Sequence, residues 1–144
     1  MRRLLALALL LTGCVPTNLA EWGENNPELA LVSYHVHTHN TLTIRHEDRS
    51  EEFVHLGCTA DLEPPRSEEA RENLVQILAN SEYLFVDSEG NLWGRSQERD
   101  LELVSLTMAF DGWVLPQEDC PFYFAVLEAV EEAQRQQLGM WDEE

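Results

Sequence analysis

His35, His37 and His39 alternate along one short stretch, and His55 lies on a segment expected to run beside it. On a β-strand, alternate side chains share a face at a spacing of about 6.5–7 Å. Neutral imidazoles so placed suit Zn²⁺ or Cu²⁺ when a third ligand comes from an adjacent strand. His46, Glu47 and Asp48 offer further ligand atoms toward the far end of the same hairpin. The alternation equally describes the wet face of a half-buried strand, where histidine is simply polar and strand-tolerant. Cys58 and Cys120 form a second candidate pair. In an exported protein two such thiols pair more often than they stay free. A disulfide here closes a loop of about 60 residues and stabilises by roughly 3–4 kcal/mol on the chain-entropy account. Two separately buried thiols are the alternative.

Strands and turns must position these groups. Across residues 30–38, Val32, Tyr34, Val36 and Thr38 alternate with Ser33, His35 and His37, the period expected when one face meets a core. His39-Asn40 marks a turn, residues 41–45 the return strand, and residues 52–58 a third strand with Val54, Leu56 and Cys58 on one side. Pro64-Pro65 blocks continuation, and Ser67 is placed to cap a helix with Glu68 and Glu69 in its first turn. Ala70, Leu74, Ile77 and Leu78 supply that helix's apolar stripe. Residues 83–86 and 92–95 read as a ribbon around an Asp-Ser-Glu-Gly-Asn turn, and a second helix from Leu101 stops near Asp111-Gly112. A last helix over residues 120–138 takes Pro121 early, where a missing N–H is harmless, and Gly139 ends it before Trp141. Trp93, Trp113 and Trp141 suit core or rim packing better than a base-stacking platform. The order gives an α+β domain, compatible with a five-stranded Greek-key barrel of the OB type carrying three helices.

The chain opens MRRLLALALLLTGCVP. Arg2 and Arg3 supply a positive flank, and the Leu/Ala run over residues 4–11 is well short of the roughly 20 residues that span a bilayer. Leu11-Thr12-Gly13-Cys14 resembles the lipobox of bacterial lipoproteins. That resemblance implies a signal peptide over residues 1–13, acylation of the Cys14 thiol, and a membrane lipid as the first partner. Val15, which is not an acidic retention residue, implies the outer membrane where the cell has one. Residues 14–28 then form the lipidated terminus and a polar tether, and residues 29–144 a single domain.

Lysine is absent, and beyond Arg2 and Arg3 the chain has seven arginines against 27 acidic residues, a formal −20. Such a surface repels nucleic acid and anionic headgroups, so nucleic acid is not an expected partner. An envelope protein or a small ligand is. The sequence has no Ser-His-Asp set, no Gly-rich phosphate loop and no Cys-x-x-Cys motif.

From Ser33 to Trp141 several phrases resemble the staphylococcal nuclease (thermonuclease-like) family: EEARENLVQIL its first helix, GNLWGR its aromatic-Gly-Arg ribbon, LELVSLTMAFDGWV the helix and strand-like stretch that follow, and LEAVEEAQRQQLGMW its final helix. The resemblance implies an OB barrel with three helices and calcium-assisted phosphodiester cleavage of DNA or RNA. Carboxylates after the first and third strands hold the metal, a glutamate acts on water, and two arginines face the phosphate. Here Asn40 occupies the first metal position, Val54 stands where the first arginine belongs, and Thr59 and Leu62 replace the next two acids. Only Arg95 matches; a two-residue shift would bring in Asp61 or Glu63. The expected function is therefore a non-catalytic binding or structural module, with no cofactor. A calcium-dependent nuclease using Arg95 is one alternative, and a zinc or copper protein using the histidine strand, with His55 as a further candidate ligand, is the other.

Overall fold

The computed structural model describes residues 33–142, so the expected signal peptide, Cys14 and the tether lie outside the described residues. The first hairpin forms where the two-residue period is strongest: β1 (Ser33–Thr38) pairs antiparallel with β2 (Thr41–Arg45), which pairs with β3 (Glu51–His55). Val36, Leu42, Ile44 and Val54 point into the core from these strands. β3 ends at His55, earlier than expected, because Cys58 adopts φ 67° and turns the chain out of the extended form. Leu56 and Cys58 stay buried nonetheless.

Helix α1 (Arg66–Asn80) follows, burying Ala70, Leu74 and Leu78. Ser67 does not cap it: Pro65 holds the cap position without a side-chain hydrogen bond, and the Ser67 amide already donates to the Glu63 carbonyl at 3.1 Å. Next come β4 (Tyr83–Val86), β5 (Leu92–Arg95) and a short β6 (Glu102–Leu103), paired in that order. The second helix, α2 (Val104–Phe110), starts three residues later than Leu101 because Leu103 is extended and pairs with Trp93. Helix α3 (Tyr123–Gln136) buries Val126, Ala129, Val130 and Ala133 and packs against α2. It stops at Gln137, whose left-handed conformation (φ 56°) lets the Leu138 amide reach the Ala133 carbonyl at 3.0 Å. A 3₁₀ turn (Gly139–Trp141) closes the described chain.

The class is α+β with three helices. Its ladders make two three-stranded sheets, β1-β2-β3 and β4-β5-β6, and β6 is a strand that hydrophobic periodicity did not reveal. Residues from both sheets and all three helices share one buried apolar cluster. Among the described residues no helix is long and apolar enough to cross a membrane.

Candidate functional site

Three segments converge where the resemblance places a metal: the β1–β2 turn, the loop after β3, and the connection from α2 to α3. Asn40 is 3% exposed at their junction. Its Nδ2 donates to the Thr59 carbonyl at 3.5 Å and to Asp61 Oδ1 at 3.4 Å, while its Oδ1 accepts from Thr38 Oγ1 at 3.1 Å. Its carbonyl accepts from the Leu56 amide at 2.8 Å. The loop is fixed from the other side by a Thr59–Pro116 bridge, by the Ala60 amide donating to Leu115 at 2.8 Å, and by a disulfide between Cys58 and Cys120, whose Cα atoms are 5.3 Å apart.

This corner does not fit calcium. The ion takes six to eight oxygens, several from carboxylates, and here a positively polarised N–H group of Asn40 is aimed at Asp61. Leu62 packs against the core, and Glu63 is exposed with its carbonyl committed to the start of α1. Val54 is 2% exposed, so the position of the first arginine presents no group to a phosphate.

Arg95 stacks over the Tyr83 ring, 5.3 Å from its centre, and forms no ion pair among the described residues. Burial pushes the Tyr83 phenol well above its ordinary range, with Arg95 pulling the other way. Arg95 lines a cleft of about 660 Å³ together with Asn73, Asn80, Ser81, Arg99 and Thr107; Asn40, Asp61 and Glu63 do not line it. The ion-paired arginine there is Arg99, held by Glu102 at 3.3 Å and Asp111 at 3.0 Å. Asn73 Nδ2 donates to the same Asp111 at 3.1 Å.

The histidines divide. His35 and His37 are exposed on the outer face of β1, with ring centres 4.9 Å apart. A bulge between Val36 and Thr38 breaks the two-residue period, so His39 does not share that face. It is 6% exposed and donates from Nε2 to the Ala60 carbonyl at 3.4 Å, as part of the Asn40 corner. His55 is exposed on β3 opposite Thr41, and His46 pairs with Glu52 at 3.0 Å near the other end of the hairpin. Among the described residues no three His, Cys, Asp or Glu side chains gather as a metal-binding group. Thr43 and Phe53 escaped attention in the sequence, yet they hold His37: its Nε2 is 2.7 Å from Thr43 Oγ1 and its ring stacks on Phe53 at 6.0 Å. Their odd-numbered register with His35 was the available signal, since His35, Thr43 and Phe53 fall on one cross-strand row.

Against this geometry, comparison with known families and proteins is silent: no family model matches the chain, and no curated protein matches it.

Proposed function

We propose that this chain is a lipid-anchored envelope protein whose domain is a degenerate, nuclease-like OB barrel used as a binding or structural module. The observation that carries the reading is the Asn40 amide donating to Asp61 and Thr59. An N–H donor there supplies the positive end that a metal would otherwise supply, and it fastens the turn to the loop without one. The engagement of Arg95 with the Tyr83 ring, in a cleft that Asn40, Asp61 and Glu63 do not line, supports the same reading, because phosphodiester cleavage needs charge neutralisation and metal at one phosphate. So does the formal charge of −18, which opposes approach of a polyanion. Anchoring rests on the lipobox resemblance around Cys14.

The test uses the full chain and its Cys14→Ser variant. The parent is expected in the membrane fraction and the variant released from it. Neither is expected to cleave single-stranded DNA or RNA in millimolar calcium. Cleavage that disappears with chelator and in Asp61→Ala would establish the calcium-dependent phosphodiesterase instead, and an unchanged membrane fraction for Cys14→Ser would remove the lipid anchor.

A further inference from the structure

We propose that His35 and His37 form a two-imidazole clamp for one Cu²⁺ ion on the outer face of β1, independent of the Asn40 corner. Two nitrogens at about 2.0–2.1 Å from one ion place each ring centre roughly 3.2 Å away, so ligands between about 90° and 109° apart have ring centres roughly 4.5–5.2 Å apart. The observed separation is 4.9 Å. The bulge that turns His39 inward leaves the other two rings side by side on the exposed face.

His37 is also oriented from behind. His37 Nε2 and Thr43 Oγ1 share a hydrogen bond of 2.7 Å; in the tautomer whose Nε2–H donates to the hydroxyl, the lone pair resides on Nδ1, the outer-sphere arrangement of a ligating imidazole. The Phe53 ring, stacked at 22° to the imidazole plane, limits rotation further. His35, His37 and Thr43 line one shallow depression with Arg45 and Glu51. Arg45, which lines the same depression, is paired with Glu51 at 2.7 Å, and the Arg71 guanidinium donates to the Val36 carbonyl at 2.9 Å between the two histidines.

Copper is the ion of choice for two reasons. A structural zinc site wants four protein ligands, and no group of three is found among the described residues. A tetragonal Cu²⁺ centre accepts two cis nitrogens with waters at its remaining positions, and copper heads the affinity order of divalent first-row ions.

The experiment titrates the full chain with Cu²⁺ and, separately, Zn²⁺, following heat and the electron paramagnetic resonance spectrum. One equivalent of Cu²⁺ is expected, with hyperfine structure from two imidazole nitrogens and an affinity at least tenfold above that for Zn²⁺. His35→Ala and His37→Ala should each weaken copper binding at least tenfold, Thr43→Val severalfold, and His55→Ala not at all. All these side chains except that of Thr43 are exposed, so far-ultraviolet circular dichroism should be unchanged. Undiminished stoichiometry and affinity in the His35→Ala, His37→Ala double variant would overturn the clamp, as would no uptake from micromolar copper.

Discussion

Asp87 shows how one side chain can organise a hairpin. Its carboxylate accepts the amides of Glu89 and Asn91 at 2.9 Å each, Asn91 Nδ2 at 3.1 Å and Trp93 Nε1 at 2.9 Å. Burial pushes this carboxyl upward, but the bonds from Trp93, Asn91 and Glu89 outweigh it and hold it below its ordinary value of 3.8. A folded-state value depressed in this way contributes stability above the ordinary value and loses it as pH falls through the folded one. Asp87→Ala is expected to cost about 2 kcal/mol near neutrality, the scale for losing hydrogen bonds to a charged group. In urea melts its gap from the parent should narrow below pH 3.8; a gap that widens there would refute the role. The sequence disclosed the turn but not the indole that closes on it, because Trp93 meets Asp87 only through the β4–β5 register. His39 was misplaced for the same kind of reason: alternation along a strand is readable, whereas a bulge is a property of pairing.

Elements were more readable where apolar spacing was dense. The stripes of α1 and α3 emerged from residues such as Leu74, Val126 and Ala133, and their burial follows. Boundaries were set by contacts outside the elements. β6 forms because Glu102 and Leu103 pair with Gly94 and Trp93, which overrides a helical pattern beginning at Leu101. Two glycines fix how the end of α2 meets the turn after α3. Gly112 (φ +90°) and Gly139 (φ +59°) lie backbone to backbone: a Cβ on Gly112 would stand 2.2 Å from the Leu138 carbonyl oxygen, and one on Gly139 2.5 Å from that of Gly112. The Met140 amide donates to Gly112 across this approach at 3.0 Å. Gly112→Ala is expected to cost at least about 3 kcal/mol, combining a strained φ with displaced backbone. Gly90 (φ +87°) has nothing within 4 Å, so Gly90→Ala should cost only about 1 kcal/mol. Equal losses in denaturant melts of the two variants would show that the close approach contributes nothing.

At the scale of the whole molecule, a formal charge of −18 sets self-repulsion against a core built from short strands and a seven-residue α2. The Cys58–Cys120 link ties the first sheet to the approach of the last helix across 62 residues. It also braces the Asn40 corner, since Cys58 is the residue before Thr59, whose carbonyl accepts from Asn40. Closing a loop of this length restricts the unfolded chain by about 4 kcal/mol on the chain-entropy account. Reduction, or the Cys58→Ser, Cys120→Ser double variant, should therefore lower stability by about that much. The loss should not be uniform in its local consequences. The Ala60 and Gln117 amides, which donate to Leu115 and Cys58 across the braced loop, should lose protection from hydrogen exchange. The Glu82 amide, donating to Arg95 at the edge of the second sheet, should keep its protection under conditions where the reduced protein remains folded. Equal urea midpoints with and without reductant would show that the link adds no stability. Uniform loss at all three amides would show that it holds the domain as a whole and not the corner in particular.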